Sequence, residues 1–159
     1  MVRGPLSIDE QIAAMAATWP RFELLRRSTD TAEWGGILRP LLQPFAVRLK
    51  YRSPLVIEAY SVRTLQPRIR ILSPPLRPRR NDPEGQLPHV YYVGDGPLDV
   101  VLCMFDPEAN EWLPSMSLAE TTIPWTIDWL ASYEGWRATG TWTGGGRHAV
   151  NPMLNEGSQ

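Results

Sequence analysis

Apolar positions near the start of the chain recur with helical spacing. Ile8, Ile12, Met15 and Trp19 follow one another at intervals of four, three and four, which lines them along one face of a helix. Ser7 followed by Glu10 is the capping-box pattern, and Pro20 cannot continue the turn, so the spacing predicts a helix from 7 to about 18. Phe22, Leu24 and Leu25 predict a second short helical turn. The period then changes to two. Residues 34–39 are strand-like, 46–51 alternate apolar and polar, 55–62 are rich in β-formers, and 67–72 alternate again. Period two with one apolar face predicts an antiparallel meander of about four strands, covered on one side.

Residues 73–88 hold five prolines and predict an irregular flap. Arg77, Arg79 and Arg80 make it basic, which suits either a solvated loop or a docking surface for an acidic partner segment. Residues 99–105 read as another strand that runs into a turn at 106–110. A last helix is predicted over 124–138, opened by Pro124 and ended by Gly140. Trp125, Trp129, Tyr133 and Trp136 share one of its faces, flanked by Ile127 and Leu130, and such a stripe reads as core. Residues 141–148 are irregular, and the polar stretch 151–159 reads as a flexible tail. The expectation is one α+β domain over 1–150: helix, meander, flap, cysteine segment, helix.

Composition narrows the function classes. A chain of 159 residues with 43% apolar content fits one domain with a packed core. The net charge of -1 supplies no overall field toward nucleic acid or an anionic membrane, so neither is an expected direct partner. No run has the length of a transmembrane helix, and the first residues lack the apolar stretch of a signal peptide. With one cysteine, the cytoplasm is the expected compartment. One cysteine and two histidines without short ligand spacing give no reason to expect a metal or cofactor. Basic charge is almost all arginine, Lys50 being the only lysine.

Cys103 cannot form a disulfide within the chain, so it is either core filling or chemistry. A free cysteine is commonly buried, whereas a reactive thiol needs exposure and an electropositive setting. Cys103 stands near the end of its predicted strand, where side chains reach the surface. His89 lies upstream and His148 far downstream; each is either structural or a candidate base or oxyanion partner. Together with Cys103 they also fit a cysteine-hydrolase pair, although no motif typical of such hydrolases surrounds the cysteine.

The ordered run His89-Val90-Tyr91, Leu102-Cys103-Met104 and Trp112-Leu113-Pro114 resembles the core of ubiquitin-conjugating (UBC) enzymes. In that family a segment containing His-Pro-Asn precedes the catalytic cysteine and a Trp-x-Pro follows it. The predicted element order matches as well. The chain is more closely similar to bacterial ubiquitin-conjugating-like proteins of antiphage cyclic-oligonucleotide (CBASS) operons. That similarity is carried by His89-Val90-Tyr91, Leu102-Cys103, Ile123-Pro124-Trp125 and Trp142-Thr143-Gly144 with His148, and it spans most of 7–148. Val90 and Tyr91 stand where the eukaryotic motif has Pro and Asn.

The resemblance implies a UBC-like fold and an acyltransferase. Cys103 would carry the C-terminal acyl group of a partner protein as a thioester. His89 and His148 would move protons or order the site. Tyr91 would position the acyl tail, Trp112 and Pro114 would brace the loop after Cys103, and these three with Trp142 make up the implied substrate-binding set. The implied partner is the C-terminal tail of a cGAS-like nucleotidyltransferase, or a ubiquitin-like protein. The chain shows no strand–GxGxxG–helix unit, so activation of the acyl group falls to another protein. Two rival readings are a catalytically inactive UBC-like binding module, with Cys103 buried, and a small cysteine hydrolase or thioesterase.

Overall fold

Ser7 begins helix α1 (Ile8–Thr18) through a reciprocal capping box: its hydroxyl accepts from the Glu10 amide at 3.1 Å, and the Glu10 carboxylate accepts from the Ser7 amide at 2.8 Å. The computed structural model describes residues 4–54, 66–79, 87–94, 96, 99–106 and 109–144. Helix α1 buries Ile8, Gln11 and Met15. Gln11 is a polar residue in the core, and both ends of its amide are used. Its nitrogen donates to the Met116 carbonyl at 3.0 Å and its oxygen accepts from the Leu118 amide at 2.9 Å, which fastens α1 to the segment before the last helix.

Four antiparallel strands follow in chain order: β1 (Glu23–Arg27), β2 (Thr31–Leu38), β3 (Phe45–Arg52) and β4 (Arg68–Ser73). Residues expected to make a second helical turn after Pro20 instead enter β1. The reason lies on the neighbouring strand. Gly35 and Gly36 leave room for Leu25 and Phe22, and a Cβ at Gly36 would stand 2.7 Å from the Phe22 ring. Strand β2 begins earlier than expected, at Thr31. The strand expected over 55–62 lies outside the described residues.

Strand β3 sets the faces of the sheet. Phe45, Val47, Leu49 and Tyr51 are buried, and Arg48, Lys50 and Arg52 are exposed between them. Across the ladder, Leu49 stands between Trp34 and Ile69, so the buried face is continuous over three strands. The β2–β3 turn is held from the last helix, where the Glu134 carboxylate accepts from the amides of Leu42 and Gln43 at 3.4 and 3.3 Å.

A second sheet is a two-stranded antiparallel ladder, β5 (Val90–Tyr92) with β6 (Val100–Leu102). Helix α2 (Thr122–Thr139) then packs Ile123, Thr126, Trp129, Leu130, Tyr133 and Trp136 inward. Pro124 is the third residue of this helix rather than its first. That position is harmless, because the opening amides of a helix have no intrahelical acceptor. Gly140 ends the helix at φ 83°, its amide reaching the Trp136 carbonyl at 2.8 Å. The expected aromatic stripe is core: Trp129, Tyr133 and Trp136 are buried, and the Trp129 and Tyr133 rings stack at 5.7 Å. The architecture is α+β, with a helix, a four-stranded antiparallel sheet and a C-terminal helix in the expected order.

The start of the flap is fixed to α2. Residues 75–79 carry neither helix nor strand, and the Arg77 amide donates to the Tyr133 hydroxyl at 2.8 Å. Arg137 donates to the carbonyls of Arg77 and Pro78. The Arg79 guanidinium packs against Gly140, where a Cβ would meet it at 2.2 Å. Arg80 lies outside the described residues.

Candidate active site

The β5–β6 hairpin is short, and its value to the site is its open end. Val90 pairs with Leu102, and the ladder continues one step further, with the Cys103 amide donating to the His89 carbonyl at 2.9 Å. His89 and Cys103 therefore face each other just outside the two strands. They stand fourteen positions apart in sequence, and the hairpin brings their backbones together. His89 holds φ 53°, in the left-handed region that few side chains other than Asn, Asp and His enter.

Helix α2 holds this geometry from behind. The Trp129 indole N–H donates to the same His89 carbonyl at 2.9 Å. One carbonyl thus takes a donor from the cysteine segment and a donor from α2. One residue past the cysteine, the Thr126 hydroxyl donates to the Met104 sulfur at 3.2 Å. Helix α2 thus holds the cysteine segment directly at Met104 and, through the His89 carbonyl, at Cys103.

The imidazole of His89 lies against the Trp142 ring, with centroids 4.7 Å apart and planes 41° apart. Trp142 also meets Trp129 edge-on at 5.2 Å and Trp136 at 6.4 Å. The chain after α2 therefore turns back along the helix rather than leaving it. Gly144 comes so close to Ser132 that a Cβ would stand 2.7 Å from its hydroxyl.

The thiol is not at the surface. Cys103 is 7% exposed, and its sulfur lies 3.8 Å from the Phe105 carbonyl. The sequence expectation of a strand end reaching solvent is corrected here, because the strand end is enclosed. Val100, Val101 and Leu102 are all buried, so β6 has no solvent face from which Cys103 could emerge. The Cys103 amide is committed to His89, so this N–H is not available to a developing oxyanion while that bond stands.

The remaining sequence candidates divide by place. Tyr91 pairs with Val101 within the hairpin and is half-buried. Trp112 is 0% exposed, donates to the Thr121 hydroxyl at 3.2 Å, and packs against Phe105 at 6.2 Å and Tyr51 at 5.6 Å. Pro114 is buried, and its carbonyl accepts from the Leu6 amide at 2.9 Å. Trp112 and Pro114 thus sit in the framework behind the cysteine loop. His148 lies outside the described residues.

Sequence reasoning placed Trp129 in the core and missed its bond to His89. The available signal was chemical: a buried indole N–H needs an acceptor. Thr126 carried no signal before the helix was docked. Among the described residues, no group of three or more His, Cys, Asp or Glu is placed to hold a metal, and no helix is long and apolar enough to cross a membrane.

A family model described as "Type II CBASS E2 protein" matches residues 11–149. No curated protein matches the chain.

Proposed function

We propose, from the premise that this chain belongs to the type II CBASS E2 protein family, that it carries the C-terminal acyl group of a partner protein as a thioester on Cys103. The family supports an E2-like role in CBASS antiphage operons. The finer reading rests on the pairing of His89 with Cys103 across the hairpin end.

The chemistry is an acyl exchange. Another enzyme supplies the partner's C-terminal carboxyl group in activated form. The Cys103 thiolate attacks that carbonyl carbon, the new C–S bond forms, and the activating group leaves with the electron pair of the broken bond. His89 and His148 are the candidates to take the thiol proton and to order the site. In a second exchange an acceptor nucleophile attacks the thioester, and the Cys103 thiolate is the leaving group. Tyr91 and Trp142 flank the path proposed for the acyl tail, and Trp112 with Pro114 braces the loop behind it. The proposed donor is the C-terminal tail of a cGAS-like nucleotidyltransferase or a ubiquitin-like protein, in the cytoplasm. On the same resemblance the fold is read as UBC-like.

Substitution Cys103→Ser tests this directly. Serine makes an oxygen ester that thiols do not cleave. A thiol-resistant adduct on Cys103→Ser, isolated together with operon neighbours, is the expected result. Absence of any adduct on Cys103→Ser and on the wild type overturns the reading.

The burial of Cys103 favours a second reading, in which the domain only docks partners. The rate of alkylation of this sole cysteine separates the two. Modification as fast as that of an open thiol, once partner is bound, fits the transferase. Protection in every state fits the docking module.

A further inference from the structure

The chain leaves α2 by a defined reversal. Gly140 closes the helix at φ 83°. The Thr139 hydroxyl fixes the turn that follows, accepting from the Thr141 amide at 3.2 Å and donating to the Gly135 carbonyl at 2.8 Å. From there the backbone runs back along the helix. Trp142 reaches Trp136, Trp129 and the His89 imidazole, and Gly144 reaches Ser132. Residues 142–144 form a strap laid along α2.

The strap lies over the proposed site. The imidazole under Trp142 belongs to the residue directly opposite Cys103, one step beyond the Val90–Leu102 pair. Val100, Val101 and Leu102 are buried, so β6 offers no approach to the thiol. A partner's chain must reach the pair from the open end of the hairpin, where Trp142 covers His89.

The strap is held differently from its neighbours. The start of the flap is bonded to Tyr133 and Arg137 of α2, and α1 is bonded through both ends of the Gln11 amide. Among the described residues, 142–144 make no hydrogen bond. Their hold is packing: the half-buried Trp142 ring against three other rings, and a close fit at Gly144. A Cβ on Gly144 would stand 2.6 Å from the Trp142 indole nitrogen and 2.7 Å from the Ser132 hydroxyl. Thr141 and Thr143 are exposed. Lifting such a segment breaks no hydrogen bond to the body of the domain, so it belongs to the least stable part of the fold.

We propose that residues 142–144 are a displaceable strap that shuts the His89–Cys103 site in the free protein and swings out beyond Gly140 and Thr141 when the C-terminal tail of the acyl donor arrives. The tail then takes the place of the Trp142 ring against His89. Naming the tail as the displacing segment rests on the thioester reading; the closure itself does not. The small residue at 144 is what lets the strap seat, since a side chain there would meet the Trp142 ring and Ser132 together.

Gly144→Val tests the closed state in the full chain without altering His89, Trp142 or Cys103. Two readouts are taken on the free protein: the rate at which N-ethylmaleimide alkylates the sole cysteine, and the indole N–H resonance of Trp142, assigned by its loss in Trp142→Phe. In Gly144→Val the resonance moves to the position of a solvent-exposed indole, and alkylation is about tenfold faster. Gly144→Ala shifts both in the same direction and less. Thr143→Val, at an exposed position of the same strap, leaves both at the wild-type values. The thermal midpoint of each variant separates a lifted strap from a lost fold. Co-expressed with operon neighbours, Gly144→Val forms the Cys103 adduct faster than wild type. The proposal is overturned if the Trp142 resonance of Gly144→Val keeps its wild-type position, or if it moves while alkylation stays at the wild-type rate. An adduct that forms no faster in Gly144→Val overturns the role given to the donor tail. Absence of adduct in every version removes the thioester reading, and the two readouts on the free protein still decide the strap.

Discussion

The Cys103 amide donates to the His89 carbonyl at 2.9 Å, and this bond joins the two residues on which the proposed chemistry rests. It extends the β5–β6 ladder by one residue beyond Val90 and Leu102. It therefore fixes the backbone of the cysteine by the same regular pairing that builds the hairpin. Trp129 supplies the second donor to that carbonyl and so couples the pair to α2.

Trp129→Phe keeps an aromatic ring at a buried position but removes the indole N–H. The His89 carbonyl then has one protein donor fewer. Loss of the bond, with a smaller ring in the same space, lowers stability by about 1–3 kcal/mol. Chemical denaturation measures the stability, and adduct formation measures the site. Both are expected to fall; unchanged stability and unchanged adduct formation contradict the role assigned to Trp129.

Trp142→Ala removes the ring that covers His89. Trp142 is only half-buried, so the loss of stability is smaller than for Trp129→Phe. The expected result is faster alkylation of Cys103 by a maleimide, followed by mass spectrometry of the intact protein. The measurement is clean because the chain holds one cysteine. An unchanged rate shows that the segment carrying Trp142 does not control access to the thiol.

Gln11→Ala tests the framework rather than the site. It leaves the Leu118 amide and the Met116 carbonyl without their bonds to the Gln11 side chain. Each group left unsatisfied in the core costs about 1–3 kcal/mol. A fall in the thermal midpoint is expected, with the alkylation rate of Cys103 in the folded protein unchanged. A midpoint equal to that of wild type contradicts the bridging role.

The helices were legible in the sequence because their signals are local. Ser7 and Glu10 announce α1 within one turn, and Gly140 marks the end of α2. Strand β1 was not legible, since all five of its residues are exposed and no alternation marks it. Its place is set by Gly35 and Gly36 on the neighbouring strand. Cys103 and His89 stood out by residue type and order. Their contact runs through backbone atoms, which no side-chain pattern reports. Burial of Cys103 was one of the two readings its residue type left open, and the enclosed strand end decides for it. The cations of β3 and β4 were each readable in the sequence as the polar half of an alternation. Only the register shows that they face one another.

The most direct test is the intact mass of wild type and Cys103→Ala, each co-expressed with its operon neighbours and kept free of reducing agent. The expected result is a wild-type adduct whose added mass equals a partner protein minus water, released by thiol and absent from Cys103→Ala. Wild type with no added mass, while partners still co-purify, contradicts a thioester on Cys103 and leaves a domain that docks without transferring.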